Sequence, residues 1–501
     1  MNNINPSVIG QGTYGCVHKP SLTCKTSKTV DYTNKVSKIL ETKEANAELK
    51  EYEKIANIDK KHEFYLGVPT KCSPQVNLKN FDAIKKCKNG DDFLKDMNKY
   101  SLLLMEDGGI NLETFGSQLH KLSDTPENRI MMEKFWIEGH RILLGLKVFL
   151  DHDFIHHDLK PQNIVFNKEK NRLNFIDFGL SSQKSKIIEM SKKNKNNMGI
   201  LHWSYPFESE LYNMNYYKGF SRKTESKKEE YYNKRVEMLK KNSKDKIATT
   251  FKTFFSYVIK SDISSGDYEF VVQAFFKDYY NMLLHQTTEN NYDAFLDKSL
   301  NTFDIYGVGI AFMLVFVNSV HLTVEPLINE FTDLFYYMVC PDLDKRINIE
   351  TLLTRYELAL KNSGILHKYN IHFENHELIE GPEVPEVIKN SLVGLTKEKM
   401  SISQEEKERV VLKQIKSCPE GKVLNPKTNR CVKMKTHKIK SVRTCPEGKV
   451  LNTKTNRCVK EKLATKRTRK VKIVATEQPH VRLDNPPACV YNPYTDSCVK
   501  A

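Results

Sequence analysis

The sequence contains little that would place the protein outside a cell or in a membrane. Residues 1–6 have neither a basic start nor an apolar core, so no secretory signal peptide is predicted. The longest apolar run, residues 307–317, is too short to span a bilayer and is predicted to form a buried helix. Hydrophobic residues make up 39% of the chain and charged residues 28%, as in soluble globular enzymes. We therefore expect a soluble intracellular protein that does not bind membranes.

Close pairs of cysteines, which form most zinc knuckles, are absent from the sequence. The chain has 11 cysteines, and those before residue 400 are widely scattered. We expect these to be ordinary reduced residues, because disulfides are unusual inside cells. They are Cys16, Cys24, Cys72, Cys87 and Cys340. The others lie after residue 417 and recur in pairs.

An excess of one charge sign is also absent from most of the chain. Residues 1–400 carry 54 Lys and Arg against 53 Asp and Glu, whereas residues 401–501 carry 24 against 9. The formal net charge of +16 therefore belongs almost entirely to the C-terminal tail.

The residue types needed for phosphoryl transfer are concentrated in residues 156–163, His-His-Asp-Leu-Lys-Pro-Gln-Asn. Phosphoryl transfer depends mainly on positioning and on charges that neutralise the phosphate oxygens. Asp158 would accept or orient the proton of the attacking hydroxyl. Lys160 would lie near the γ-phosphate. The segment therefore predicts a phosphotransferase site.

Two oxygen ligands for Mg²⁺ are predicted beside this segment. Asn163 ends it, and Asp177 begins the triplet Asp-Phe-Gly shortly afterwards. Carboxylate and amide oxygens suit Mg²⁺, which favours hard ligands in octahedral geometry. Short strands predicted at 164–166 and 173–176 would form a hairpin that brings Asn163 back beside Asp177.

These residues resemble the catalytic loop and the metal-binding triplet of the eukaryotic-type protein kinases. A second segment resembles the glycine-rich loop that covers the phosphates of ATP in that family. Its residues are Gly10, Gln11, Gly12, Thr13, Tyr14, Gly15, Cys16 and Val17. Each motif alone is weak, but their order along the chain is that of the family.

The resemblance also predicts an ion pair that holds ATP. A strand predicted at 34–40 carries Lys38, which would contact the α- and β-phosphates. The helix predicted at 43–57 offers Glu44, Glu48 and Glu51 as its anionic partner. We favour Glu48, because apolar residues then follow on the adjoining helical face, and Glu51 stays an alternative.

Further motifs of the family follow along the chain. Residues 102–109 resemble the last small-lobe strand and the hinge, where the backbone near Glu106 would bind adenine. In the large lobe, Glu208 would close the activation segment and Arg346 would be its ion-pair partner. Asp304 would begin the central buried helix.

The resemblance covers residues 4–365 and implies an α+β, bilobal protein-kinase fold, with a small β-rich lobe and a large, mainly helical lobe. ATP and Mg²⁺ would be the cofactors, and proteins the substrates. Three departures stand out. His157 replaces an arginine that docks a phosphorylated activation loop in many relatives, and Leu201 replaces a threonine of the activation segment. An insert of about residues 209–300 has a polar, lysine-rich part that we interpret as a solvated helical excursion.

The tail contains an internal repeat. Residues 366–417 are predicted to be a linker, and copies of a two-cysteine motif follow at 418–433, 445–460 and, in shorter form, 489–500. Each copy is too small to fold by apolar burial alone, so a disulfide within each copy or a zinc ion bridging copies is expected. The cysteines concerned are Cys418, Cys431, Cys445, Cys458, Cys489 and Cys498.

The repeat resembles the virus-specific two-cysteine adaptor module of large nucleocytoplasmic DNA viruses such as iridoviruses. The resemblance implies a viral protein of the host cytoplasm or virion, with a tail that docks a viral or host protein. The basic run at 466–470 would suit nuclear targeting or nucleic-acid contact, but no aromatic stacking platform accompanies it, so we favour a solvated linker.

The sequence thus predicts a Mg²⁺-dependent serine/threonine protein kinase. Lys160 favours serine or threonine as acceptor, because tyrosine kinases usually lack a lysine there. The alternatives are a pseudokinase scaffold that acts through the cysteine repeats and a kinase for a lipid or small molecule.

Overall fold

The computed structural model of the protein describes residues 5–12, 15–26, 30–194, 200–241, 244–261 and 263–380, and the backbone of short strands between residues 422 and 499. The chain divides into two compact units, residues 1–381 with 486–501 and residues 382–485.

The small lobe is built on an antiparallel sheet. In spatial order its described strands are β1 (Ser7–Gln11), β2 (Gly15–Lys19), β3 (Lys35–Glu41), β5 (Tyr100–Glu106) and β4 (Thr70–Cys72). The central strands β3 and β5 are rich in Val, Ile and Leu, which suits strands covered on both faces. Helix α1 (Thr42–Ile58) packs against them with one face, burying Ala45, Glu48, Tyr52 and Ile55 at helical spacing.

Two disulfides hold the outer face of this sheet. Helices α2 (Leu78–Ile84) and α3 (Gly90–Lys95) lie between β4 and β5 in the chain. Cys16 on β2 is bonded to Cys87 in the loop between these helices, and Cys24 is bonded to Cys72 on β4. The expectation that the scattered cysteines are reduced is therefore wrong for these four, and Cys340 is the free cysteine of the described residues. The fold brings each pair to a Cα separation of 6.1 or 5.8 Å, a distance that a disulfide can bridge.

The large lobe is mainly helical. Its helices are α4 (Leu112–Leu119), α5 (Pro126–Asp151), α6 (Lys184–Lys192), α7 (Met214–Ser221), α8 (Glu225–Lys240), α9 (Lys246–Val258), α10 (Ser265–Asn281), α11 (Tyr292–Asn301), α12 (Phe303–Ser319), α13 (Glu325–Val339), α14 (Ile349–Asn362) and α15 (Ile365–Lys368). Helix α12 runs through the core. With its extension to Leu322 it is long and apolar enough to cross a membrane, but 72% of its most apolar window is buried inside the fold. Packing in the core therefore accounts for its composition.

Short strands of the large lobe position the catalytic loop. They are β6 (Ile110–Asn111), β7 (Phe154–Ile155), β8 (Ile164–Asn167), β9 (Arg172–Phe175) and β10 (Ser182–Gln183). Strands β8 and β9 form the predicted hairpin. The backbone N–H of Ile176 donates to the carbonyl of Asn163 at 3.1 Å, so the hairpin does return the chain to the end of the catalytic loop.

The insert is largely part of the large-lobe core. Aromatic faces of α9 and α10 bury Phe251, Phe254, Phe275 and Phe276. The interpretation of the lysine-rich part as a solvated excursion is wrong for part of α8, where Lys228 and Arg235 are buried. Arg235 of α8 is buried and forms an ion pair with Glu210, which closes the insert onto the lobe.

The predicted linker begins too early. Residues 366–380 are ordered as α15 and a hairpin of β11 (Ile371–Glu374) and β12 (Glu377–Glu380), because apolar residues of α15 and β11 pack on the core of the large lobe. Residues 381–417 lie outside the described residues.

Each tail repeat contains an antiparallel hairpin. Their strands are β13 (Lys422–Asn425), β14 (Arg430–Lys433), β15 (Lys449–Asn452), β16 (Arg457–Lys460), β17 (Val490–Asn492) and β18 (Ser497–Val499). The second cysteine of each repeat lies in its second strand, with Cys431, Cys458 and Cys498 opposite Leu424, Leu451 and Tyr491. Their predicted partners Cys418, Cys445 and Cys489 lie outside the described residues, so the pairing stays a prediction.

Candidate active site

Asp158 is the centre of a compact hydrogen-bonded group. Lys160 Nζ donates to both of its carboxylate oxygens at 2.8 Å. Asn163 Nδ2 donates to Asp158 Oδ2 and to the Asp158 carbonyl, each at 2.8 Å, from a 3-10 turn that follows Lys160. Burial raises the pKa of Asp158, and the charge of Lys160 opposes that rise. The predicted base, lysine and amide therefore lie in contact.

Lys38 bridges the two lobes. Its Nζ lies 2.8 Å from Glu48 Oε2 on α1 and 2.8 Å from Asp177 Oδ1 after β9. Glu51, the alternative partner, points elsewhere and pairs with Lys54 at 2.7 Å. The strand alternation of β3 puts Lys38 on the same face as the buried Val36, toward α1.

Burial and mutual charge set the ionisation of this triad. Burial acts to raise the pKa of Asp177, but the neighbouring Lys38 ammonium outweighs it and holds that pKa below its usual value. Burial raises the pKa of Glu48 against the opposing effect of Lys38. The Lys38 pKa is raised because the two carboxylates outweigh the effect of burial. We expect the lysine to be charged at neutral pH.

The donor set of Asn163 and Asp177 fits a divalent cation. Asp177 has left-handed backbone torsions, with φ of 63° and ψ of 68°, and 41% of its side chain is exposed. Among the described residues its Oδ2 has no hydrogen-bond partner. A free carboxylate oxygen beside an amide side chain is the type of ligand set that Mg²⁺ prefers.

Phe178 fixes Asp177 in this position. Its ring is fully buried, 5.2 Å from the ring of Tyr52 on α1 and 4.6 Å from that of His156. The contacts connect α1, the catalytic loop and the Asp-Phe-Gly triplet. The lysine–glutamate pair that the resemblance predicts is formed, and the triplet aspartate contacts the same lysine.

Asp304 of α12 holds the start of the catalytic loop through two hydrogen bonds to its backbone. Its carboxylate accepts the backbone N–H of His156 at 2.7 Å and that of His157 at 3.0 Å. Burial raises the pKa of Asp304 to about 7, although the two N–H donors act against the rise. His156 Nε2 donates to the carbonyl of Ile176 at 3.0 Å, which links this loop to the residue before Asp177.

His157 packs as an aromatic residue. Its ring stacks on Phe303 at 4.7 Å and lies 5.4 Å from the ring of Tyr205. Burial lowers the pKa of His157 to about 4, so the ring is uncharged at neutral pH. An uncharged, stacked imidazole cannot bind a phosphate group as the arginine at this position does in many protein kinases.

Glu208 and Arg346 form a fully buried ion pair. The guanidinium donates two parallel hydrogen bonds, NH1 to Oε1 at 2.5 Å and NH2 to Oε2 at 2.9 Å. Both side chains have no exposed surface. Ser299 Oγ adds a donor to Glu208 at 2.6 Å. The end of the activation segment is therefore anchored in the large lobe.

The glycine-rich segment forms the turn between β1 and β2. Gly12 N–H donates to the carbonyl of Gly15 at 2.9 Å, and a Cβ on Gly15 would lie 2.8 Å from the carbonyl oxygen of Ile39. Only glycine fits there without a shift of β3. The predicted Thr13 and Tyr14 lie outside the described residues. The side chain of Cys16 is turned into the core and bonded to Cys87, so only its backbone is available to a nucleotide.

The segment predicted to be the hinge would contact a nucleotide through its backbone groups. The carboxylate of Glu106 is 53% exposed and pairs with Lys35, so its side chain faces away from the cleft. At Gly108 a Cβ would lie 2.4 Å from Val165 Cγ2 of the large lobe, which explains why glycine follows the strand.

Sequence reasoning missed one group beside the catalytic loop. Gln162 Nε2 donates to Glu113 Oε1 on α4 and to the hydroxyl of Tyr257 on α9, each at 2.8 Å. Tyr257 also donates to Glu113. The position of Gln162 inside the catalytic loop was the available signal, but its partners are 49 and 95 residues away in the chain.

Comparisons with known proteins agree with this geometry. Residues 99–206 match the family model described as "Protein kinase domain". The chain is 28% identical over 88 residues to a probable casein kinase I homolog of Encephalitozoon cuniculi (strain GB-M1), covering 17% of this chain and 29% of the relative. It is 40% identical over 77 residues to mitogen-activated protein kinase kinase kinase 8 of Rattus norvegicus, covering 15% and 16%. It is 30% identical over 94 residues to serine/threonine-protein kinase nekl-2 of Caenorhabditis elegans, covering 19% and 26%.

The chain thus spans less than a third of the length of each of these relatives. The matched segment contains the hinge, the catalytic loop, the Asp-Phe-Gly triplet and the approach to Glu208. These matches, together with the site, support a serine/threonine protein kinase domain in this chain.

Proposed function

We propose that the protein is an ATP-dependent protein kinase that transfers the γ-phosphate of ATP to serine or threonine of protein substrates. The observation that carries the proposal is the assembled group of Lys38, Glu48 and Asp177 beside Asp158. In protein kinases an ion pair between the lysine of this strand and a glutamate of this helix must be formed for phosphoryl transfer, and the pair of Lys38 and Glu48 supports the proposal.

The side chains divide the work between nucleotide and acceptor. Lys38, held by Glu48, would bind the α- and β-phosphates, while the backbone of the hinge near Glu106 would bind adenine. Asn163 and Asp177 would hold Mg²⁺, which when bound neutralises charge on the phosphate oxygens.

Asp158 and Lys160 would act on the reacting groups. A carboxylate with a raised pKa accepts or orients the proton of the acceptor hydroxyl more readily than an ordinary aspartate. Lys160 would move from its contact with Asp158 toward the γ-phosphate and stabilise the charge that develops there. Asn163 holds Asp158 through the second carboxylate oxygen.

The acceptor class rests on Lys160 and on the relatives. A lysine two residues after the aspartate resembles the serine/threonine kinases, and the printed name of one matched relative states that class. We therefore propose serine and threonine hydroxyls of proteins as the acceptor groups and name no particular substrate protein.

A transfer assay with an acceptor analysis tests the proposal. Purified protein, labelled ATP, Mg²⁺ and a basic protein substrate should give labelled phosphoserine or phosphothreonine, and Asp177→Ala should abolish the signal. The exposed Lys95→Ala, distant in the chain from these motifs, serves as a control that should stay active. Label on tyrosine or on lipid would contradict the proposed acceptor class, and the absence of any labelled acceptor would contradict the kinase activity itself.

We further propose that the tail repeats dock a protein partner and that the protein acts inside a virus-infected cell, in the cytoplasm or in the virion. Support comes from the two-cysteine repeat and from its three hairpins of similar register. A fluorescently tagged chain expressed in cells should stay in the cytoplasm, whereas nuclear accumulation that depends on residues 466–470 would contradict this location.

A further inference from the structure

One helix of the insert ends at the catalytic loop. Helix α9 is anchored by Phe251, Phe254 and Phe255, whose rings are buried. The ring of Phe207, next to Glu208, lies 4.4 Å from that of Phe251 and 5.3 Å from that of Phe254. These contacts pack α9 against the end of the activation segment.

Tyr257 in this last turn contacts two elements of the site through its hydroxyl. It accepts from Gln162 Nε2 at 2.8 Å and donates to Glu113 Oε1, and Gln162 also donates to Glu113. Gln162 lies directly before the metal-ligand candidate Asn163. The closed set of hydrogen bonds thus fixes the second half of the catalytic loop relative to α4.

The ring of Tyr257 contacts a third element. Trp203 stacks on it with a centroid separation of 4.4 Å and an interplanar angle of 5°. Trp203 lies in the activation segment between His202 and Ser204, which are joined by a hydrogen bond of 2.8 Å. His202, Trp203 and Tyr257 are partly exposed, whereas Ser204 is buried.

His157 occupies the position of the arginine that docks a phosphorylated activation segment in many of the kinases that the chain resembles. His157 is uncharged and stacks on Phe303, so it cannot hold the activation segment through a phosphate. The stack of Trp203 on Tyr257 supplies a contact between that segment and the rest of the large lobe without any modification.

We propose that Tyr257 is a positioning residue for the protein-substrate side of the active site, holding the catalytic loop and the end of the activation segment together from within the insert. The inference rests on the proposed kinase function. It assigns the insert a role in substrate use that is separate from nucleotide binding.

Two substitutions in the full-length protein separate the hydroxyl from the ring. Tyr257→Phe removes the hydrogen bonds and keeps the stack, so kcat/KM for a basic protein substrate should fall about fivefold, as expected for a partly exposed hydrogen bond to a carboxylate. Tyr257→Ala also removes the stack, and the fall should reach about 50-fold. KM for ATP should change by less than about twofold in both, because no nucleotide contact is altered.

Fluorescence supplies a readout that does not depend on activity. The chain has 2 tryptophans. The emission of Trp203, isolated by comparison with Trp203→Phe, should move to longer wavelength in Tyr257→Ala and stay in place in Tyr257→Phe. Tyr268→Phe is the matched control, since that insert tyrosine is exposed and its hydroxyl makes no hydrogen bond among the described residues.

The outcomes separate the two proposals. An active wild-type protein with kcat/KM unchanged in both Tyr257 variants, or with KM for ATP raised in parallel, overturns the positioning role and leaves the kinase function intact. A wild-type protein that transfers no phosphate overturns the kinase function, and the positioning role with it.

Discussion

At the scale of single residues, the catalytic loop is held by groups that burial keeps uncharged. His156 and His157 both donate their backbone N–H to Asp304, and burial lowers the pKa of each imidazole to about 4. His157 serves as a flat ring between Phe303 and Tyr205 rather than as a cation. The replacement of arginine by His157 therefore exchanges a charged hydrogen-bond donor for an uncharged ring that stacks on its neighbours.

The buried His157 should make the protein sensitive to acid. Its pKa is lowered from the unfolded value, so between about pH 6.5 and 4 the unfolded chain binds a proton that the folded chain does not, and stability falls as pH falls. His157→Phe keeps the stacked ring and cannot titrate. The unfolding free energy, measured with urea, should decrease between pH 7 and pH 5 by about 1–2 kcal/mol less in the variant than in the wild type. His120→Phe, at an exposed position, is the control. An equal acid sensitivity of wild type and His157→Phe would contradict the assignment.

The ion pair of Glu208 and Arg346 should be costly to break. Glu208→Gln leaves a guanidinium with no exposed surface beside a neutral amide, and removing one partner of a buried pair typically costs about 3–5 kcal/mol. Denaturant unfolding would measure this loss. Glu289→Gln, which breaks an exposed pair with Arg222 at 2.8 Å, should cost far less. Similar losses at the two sites would show that burial does not set the cost.

At the scale of elements, the sequence predicts local structure well where one periodicity dominates. The strand expected at 34–40 is β3 (Lys35–Glu41), the helix expected at 43–57 is α1, and the hairpin strands agree with β8 and β9 within a residue or so. The choice of Glu48 over Glu51 also follows from helical geometry, because the buried face of α1 contains Glu48 and Tyr52.

Contacts between distant segments could not be predicted in the same way. The cysteine partners in the small lobe are 71 and 48 residues apart, and nothing in their spacing marks them. Charge patterning likewise indicated a solvated α8 and gave no sign of the buried pair between Arg235 and Glu210. Such contacts depend on how whole elements pack together. The periodicity within one element carries no information about that packing.

The disulfide between Cys16 and Cys87 should stabilise the small lobe. In the chain-entropy model a loop of 71 residues corresponds to up to about 4 kcal/mol. Cys16→Ser and Cys87→Ser should each lower the stability under non-reducing conditions, and the double variant should lose no more than either one, since the bond is already absent. Differential scanning calorimetry would compare the three. Additive losses would indicate that each thiol packs independently of a bond.

At the scale of the whole molecule, a nearly neutral catalytic part is followed by a basic tail with its own cysteines. Residues 1–400 are almost balanced in charge, and the tail repeats share one hairpin design. The small-lobe disulfides change the expectation for the tail, because a protein that is oxidised in one part is exposed to conditions that can oxidise the other.

A thiol count tests the two sets of cysteines together. Of the 11 cysteines, four are paired in the small lobe and six are predicted to pair in the tail, so protein taken from its native source without reductant should show a single free thiol after denaturation. That thiol should be Cys340, identified by alkylation and peptide mapping. Seven free thiols would confine the disulfides to the small lobe, and eleven would contradict both sets.

The central claim is that the assembled site transfers phosphate, and a matched pair of proteins tests it most directly. Asp158→Asn preserves the shape of the side chain that accepts from Asn163 and removes the proposed base. ATP and Mg²⁺ binding, measured by calorimetry, should be the same in wild type and variant, whereas the rate of transfer to a protein substrate should fall roughly 10²–10⁴-fold. Equal binding with equal transfer, or with no transfer by either protein, would contradict the account and favour a pseudokinase scaffold.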